Sequence, residues 1–152
     1  MKLSDKNGLS TLDINYFLKH IKNYGGCYSK DQLPKKLKNN YWYIANMQDS
    51  FKGNGTHWVC FKYNTNLITY FDSFGIEPPN EIMKYANDEI YYSSRQIQDI
   101  NSTACGWFCI ACILYDDNKQ LEYFKKFINS FSNNTINNDN ILYQYLKKLG
   151  IQ

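Results

Sequence analysis

Residues 98–106 read QDINSTACG, and the run that follows, Trp107, Phe108, Cys109 and Ile110, is wholly apolar. An amide side chain, Gln98, and a loop of small polar residues therefore lead into a thiol, Cys105, at the expected start of a helix. Upstream lie His57, in Thr56-His57-Trp58, and Asp72, in Tyr70-Phe71-Asp72-Ser73-Phe74-Gly75. Thiol, imidazole, carboxylate and amide are the parts that thiol-based acyl transfer requires. The thiolate is the nucleophile, and a free cysteine titrates near ~8.5. The first turn of a helix presents unpaired N–H groups that favour an anion, and a neighbouring imidazolium favours it further. His57 is the expected partner, since the other histidine, His20, falls on an N-terminal helix with no second motif near it. Asp72 would accept a hydrogen bond from the second ring nitrogen and so orient the imidazole. The Gln98 amide and the backbone N–H of Cys105 would be the two donors to a developing oxyanion.

Two neighbours extend the candidate site. Gly106 has no Cβ, and directly after the nucleophile it would let a substrate backbone approach closely. Trp58, beside the base, is placed to cover the imidazole and limit water. Cys109 and Cys112 read as small core hydrophobes. Zinc is the competing chemistry, because Cys105, Cys109 and Cys112 share a helical stripe to which Cys60 and His57 would add ligands. Structural zinc sites use Cys pairs on turns with four converging ligands, which an apolar helix does not supply. Neither a metal nor another cofactor is expected.

The elements that must position these residues follow from pattern. Residues 57–63 and 67–72 are β-rich runs separated by Asn64-Thr65-Asn66, a hairpin signal. His57 opens the first run and Asp72 closes the second, so both fall at the open end of the hairpin, where neighbouring strands are ~5 Å apart. Residues 41–47 read as a further strand, and 89–98 as β-prone at first, then polar. Ser10 with Asp13 forms a capping box ahead of Ile14, Phe17, Leu18 and Ile21 at helical spacing. That helix should stop at the Gly25–Gly26 pair, with 28–34 as an ordered loop. Asn80 can cap a short helix through Tyr85. Further helices are expected at 105–115, buried on all sides, at 120–131, and from Asp139, read as a cap, to Gly150. The order gives an α+β domain, a mixed central sheet flanked by helices, with the nucleophile at a helix N-terminus.

Composition bounds the rest. A chain of 152 residues, 43% hydrophobic and 17% aromatic, is large and apolar enough for one folded domain, taken as 1–152. Its net charge of +3 is too mild to argue for nucleic acid, and clusters such as Lys35, Lys36 and Lys38 read as solvated faces. No run approaches the ~18 apolar residues of a membrane span, and the N-terminal residues lack the apolar core of a secretion leader. Five cysteines, an odd number, fit a reduced intracellular protein better than a disulfide scaffold.

Gly55-Thr56-His57-Trp58-Val59, Tyr70-Phe71-Asp72-Ser73-Phe74-Gly75 and the QDINSTACGWFC stretch from Gln98 resemble the adenovirus-type (adenain-like) maturation proteases. That group has relatives in virophages and Maverick/Polinton elements and is distantly related to the SUMO-specific proteases. The likeness is dense from Tyr43 to Tyr115. A looser likeness over Tyr24 to Pro34, with Asp31 in it, resembles a substrate-side loop. The order His, acid, Gln, Cys and the seven residues from Gln98 to Cys105 match the family. The resemblance implies Cys105 as nucleophile, His57 as base, Asp72 as orienting acid and Gln98 as oxyanion donor, with Trp58, Gly55, Gly106 and Asp31 toward the substrate. It implies a thiol endopeptidase that cuts the major capsid protein or other virion precursors near small residues, glycine especially, inside the host cell and the virion. Asp72 departs from the glutamate of adenoviral enzymes and agrees with the SUMO proteases. Activation by DNA or a peptide does not carry over to this compact chain. The alternatives are a ubiquitin- or SUMO-like deconjugase, which prefers Asp directly before Cys-Gly where this chain has Ala104, an inert binding module on the same fold, and a capsid-associated DNA-binding protein.

Overall fold

The computed structural model of the protein describes residues 8–49, 57–116 and 121–151. Ser10 starts α1 (Thr11–Leu18) with the capping box the sequence predicts. Its hydroxyl accepts the Asp13 N–H at 3.2 Å, and the Asp13 carboxylate accepts the Ser10 N–H at 2.8 Å. The strands are β1 (Tyr24–Ser29), β2 (Tyr41–Asn46), β3 (Trp58–Tyr63), β4 (Leu67–Phe71) and β5 (Glu89–Tyr92). They form one sheet in chain order, parallel at each edge pair and antiparallel at β2–β3 and β3–β4. The short α2 (Asn80–Met83) precedes β5, and α3 (Cys105–Asp116), α4 (Leu121–Asn129) and α5 (Asn138–Lys148) follow it. The α+β class with a mixed, helix-flanked sheet is as expected.

Strand alternation divides the core in two. Cys27, Trp42, Ile44, Trp58, Cys60 and Phe71 face α1, α3, α4 and α5, while Tyr43, Ala45, Val59, Phe61, Ile68 and Tyr70 face α2 and the chain around Leu33 and Leu37. Residues 104–113 are buried without a break, so α3 runs through the middle of the helical layer. Burying that many apolar side chains, at ~1.5–3 kcal/mol each, is what fixes the helix against the sheet.

Three local expectations need correction, the first being that Asn80 is not the cap but the first residue of α2, with Pro79 in the N-cap position and the helix ending at Met83. The glycine pair does not end the helix, which stops at Leu18 with Lys19 as its C-cap; Gly25 and Gly26 lie within β1, which pairs in parallel with β2. Gly25 is required because the Tyr43 ring of the neighbouring strand lies 2.3 Å from where a Cβ would stand, and Gly26, at φ +121°, sits at the register shift. Asp139 does not cap the last helix. It lies inside α5, whose N-cap position is Asn137, and its carboxylate is engaged elsewhere.

Candidate active site

β3 and β4 deliver the first two groups. Their ladder runs from Lys62–Thr69 to Cys60–Phe71, and continued onward this register sets His57 level with Phe74. Asp72, the first residue past β4, instead turns its carboxylate back to the ring, with His57 Nε2 and Asp72 Oδ1 2.9 Å apart. The turn holds that carboxylate: Oδ1 also accepts the Phe74 N–H at 2.8 Å, and the Gly75 N–H closes onto the Asp72 carbonyl at 2.8 Å. Gly75 has φ +73°, and the space its Cβ would need is 2.6 Å from the Ser94 carbonyl oxygen. The Phe74 ring packs on the imidazole at 4.9 Å between centroids.

Cys105 is the first residue of α3, and the helix starts there with Phe108 N–H donating to the Ala104 carbonyl at 3.0 Å. Cys105 and His57 line the same cavity, and the thiol stands near enough to the imidazole to help raise its titration. With Nε2 committed to Asp72, Nδ1 is the ring nitrogen left for the sulfur. Burial disfavours the charged ring, but its hydrogen bond to the Asp72 carboxylate, the nearby Cys105 side chain and the negative charge of Asp72 outweigh it and raise His57 from 6.5 to about 9.

Gln98 arrives from the segment after β5, pinned by its backbone N–H and that of Ile97 to the Ser73 carbonyl at 3.0 and 2.9 Å. Its side chain is buried. The Ser73 hydroxyl donates to Oε1, and Nε2 donates to the Ser102 carbonyl at 3.0 Å, with the Ser102 hydroxyl at 3.4 Å. A carbonyl only accepts, so the Ser102 contact fixes which end of the amide is nitrogen.

His57, Gln98 and Cys105 line one cavity of about 430 Å³ with Trp58, Phe74, Ser102 and Thr103, and residues 8–10 close its side. Asp72 stands behind the ring. A second cavity, of about 450 Å³ beside Trp42, Thr69 and Phe124, contains the Lys62–Asp116 ion pair at 3.0 Å and no thiol or imidazole.

The structure thus brings His57, Asp72, Gln98 and Cys105 together. The other named residues fare differently. Trp58 lines the cavity, but its indole N–H donates to the Leu9 carbonyl at 2.9 Å, and it is Phe74 that packs on the imidazole. Gly106 is buried, and the room left by its missing Cβ is bounded by Leu9 at 3.1 Å and Trp58 at 3.3 Å, so this glycine serves packing. Asp31 lies in the 3-10 turn Lys30–Gln32, outside the group that lines the cavity. Gly55 lies outside the described residues. Sequence reasoning missed Leu9, Ser73 and Phe74. The latter two stand inside the Asp-Ser-Phe-Gly turn and were open to notice, whereas nothing marked Leu9.

Cys60, Cys109 and Cys112 are buried and free. Burial, then hydrogen bonds with Cys109 and Cys112, raise the Cys60 thiol far above its usual range. Among the described residues no three His, Cys, Asp or Glu side chains form a group that could hold a metal ion, and no helix is long and apolar enough to cross a membrane.

No family model and no curated protein matches the sequence. Among solved structures, the pS273R protease of ASFV is similar over 95% of this chain and 68% of its own, with a TM-score of 0.63 and 16% identity. The SUMO protease Ulp1, in a form with its catalytic cysteine oxidised to a sulfinic acid, is similar over 96% of this chain and 80% of its own, with a TM-score of 0.53 and 15% identity. The chain has the mixed α+β fold of these proteases.

Proposed function

We propose that the protein is a thiol endopeptidase in which Cys105 attacks a peptide carbonyl. The observation that carries this reading is the convergence of a helix-N-terminal cysteine, a carboxylate-held histidine and an oriented amide on one cavity. The raised His57 keeps the ring protonated near neutral pH, and an imidazolium beside the sulfur favours the thiolate. The sulfur adds to the carbonyl carbon, and the carbonyl π pair moves to oxygen. There the remaining Gln98 Nε2 hydrogen and the Cys105 backbone N–H receive it. Collapse expels the amine, which takes the His57 proton and leaves a thioester. Water then adds, giving its proton to His57. The tetrahedral adduct collapses as its C–S bond breaks to the thiolate, the acid product departs and loses its proton to solvent, and the thiolate–imidazolium pair is restored.

The substrate we propose is a capsid or other virion precursor, cut near small residues. This rests on the resemblance of the His57, Asp72 and Gln98–Cys105 motifs to the adenain-like enzymes and on the fold shared with a viral protease. The fold shared with a SUMO protease supports a second reading, removal of a ubiquitin-like modifier. Co-expression with the capsid precursor of the same genome separates them. New termini identified by mass spectrometry, absent with Cys105→Ala, are expected. Cleavage of a ubiquitin-like precursor with the capsid protein left intact would defeat the maturation role.

A further inference from the structure

We infer that Asp139, on the C-terminal helix, is a positioning residue for the oxyanion donor Gln98, acting through Ser102; this rests on the protease reading above. Two consecutive residues of α5 hold the two flanks of the Gln98 segment. Asn138, fully buried, donates from Nδ2 to the Ile97 carbonyl and to the Ser132 carbonyl, each at 2.8 Å, and accepts the Ser132 N–H at 2.8 Å. Both carboxylate oxygens of Asp139 lie on the Ser102 hydroxyl, at 2.9 and 2.8 Å.

The direction of each hydrogen bond follows from what its partner can do. An ionised carboxylate only accepts, so the Ser102 hydroxyl gives its single proton to Asp139. Its lone pairs are then free to take the Ala104 N–H, at 3.1 Å, directly before Cys105. The carbonyl of the same residue takes Gln98 Nε2. One carboxylate therefore sets a hydroxyl that steadies the start of α3, and fixes the residue whose carbonyl orients the amide. Asp139 is not among the residues lining the cavity, so it acts through Ser102 and touches no substrate. A charge-assisted bond of this kind is roughly twice as strong as a neutral one.

The test compares Asp139→Ala, Asp139→Asn and Ser102→Ala with wild type. Asp139→Ala is expected to lower kcat for Cys105-dependent cleavage by about ten- to a hundredfold with KM little changed, the scale of a misplaced donor. Binding of an acetylated diglycine aldehyde, whose adduct carries an oxyanion, should weaken in parallel. Alkylation of Cys105 by iodoacetamide develops no oxyanion and should stay near the wild-type rate. Asp139→Asn retains an acceptor oxygen and should recover most of the loss, while Ser102→Ala should match Asp139→Ala and, combined with it, add little. The side-chain amide signals of Gln98 in a ¹⁵N spectrum should shift in Asp139→Ala. Unchanged amide signals, unchanged cleavage, or an equal loss of cleavage and alkylation would overturn the inference. Should Asp139→Ala not fold, Ser102→Ala is read by the same criteria. If wild type shows no Cys105-dependent cleavage, the protease reading fails, and the Gln98 amide signals alone decide whether Asp139 positions the side chain.

Discussion

His57 Nε2 and Asp72 Oδ1 lie 2.9 Å apart although each stands just beyond its strand and the register of β3 with β4 does not set them level. The contact is made by the turn after β4, which aims the carboxylate with the Phe74 N–H and seats the Phe74 ring on the imidazole. Orientation of the imidazole is therefore a property of the Asp72–Gly75 turn as much as of the hairpin.

That contact makes stability depend on pH in a defined direction. The folded value of His57, about 9, lies above its ordinary 6.5. The stabilisation is thus fully present below about 6.5 and is lost as pH rises through about 9, and its size is on the order of 3 kcal/mol. Urea unfolding between pH 6 and 9.5 should show stability declining, with a shallower decline in Asp72→Asn. The ring signals are readily assigned because the chain has only two histidines. If Asp72→Asn left the titration of His57 unmoved, the carboxylate would not be what holds the ring charged.

Five free cysteines give an internal comparison of thiol reactivity. Burial, then the charge of Cys109, pushes Cys27 up to about 12, and burial raises Cys60 and Cys109 as well. Cys105 alone lines the cavity beside the imidazole. Iodoacetamide at neutral pH should therefore label Cys105 far ahead of the rest, and His57→Ala should slow that labelling by an order of magnitude or more. Peptide mapping showing even labelling of the five would favour an inert module on this fold.

The site was more legible than the frame around it, for physical reasons. His57, Asp72, Gln98 and Cys105 carry chemistry that few other residue types supply, and their hairpin and helix are coded by short-range pattern. β1 was not legible, because Gly25 makes room for a tyrosine ring on the next strand and Gly26 turns the backbone at a register shift, neither of which a local pattern encodes. Gly106 misled for the converse reason: a missing Cβ signals close approach without saying by what, and here it is Leu9 and Trp58. Asp139 sits 34 residues past Cys105 on a helix that carries no motif, so its contact with Ser102 was invisible until the chain was folded.

Gly75 and Gly150 allow strain to be separated from crowding. Both have positive φ, +73° and +85°, but a Cβ on Gly75 would be 2.6 Å from the Ser94 backbone oxygen, whereas one on Gly150 meets nothing within 4 Å. Gly150→Ala should cost about 1–2 kcal/mol of stability, the left-handed penalty alone. Gly75→Ala should cost more, about 3 kcal/mol or above, because a backbone must also move. It should also lower cleavage, since the Gly75 N–H closes the turn that aims Asp72. Equal unfolding midpoints for the two variants would show that residues 94 and 95 yield without resistance.

Gln98 gives the sharpest division between binding the nucleophile and stabilising charge. Gln98→Ala removes a donor whose hydrogen bonds go to Ser102 rather than to His57 or Cys105, so alkylation of Cys105 should hold while kcat for peptide cleavage falls by about 100- to 1000-fold. Gln98→Glu is the stronger probe. The glutamate keeps the shape and can still accept from the Ser73 hydroxyl, yet it sets an anionic oxygen opposite the Ser102 carbonyl, where Nε2 now donates. Two acceptors facing each other repel, and the variant would present negative charge to an oxyanion. Cleavage should therefore fall further than in Gln98→Ala, and acidification that protonates the new carboxyl should restore part of it. A Gln98→Glu enzyme as fast as wild type would mean that the oxyanion forms elsewhere in the cavity, out of reach of this side chain.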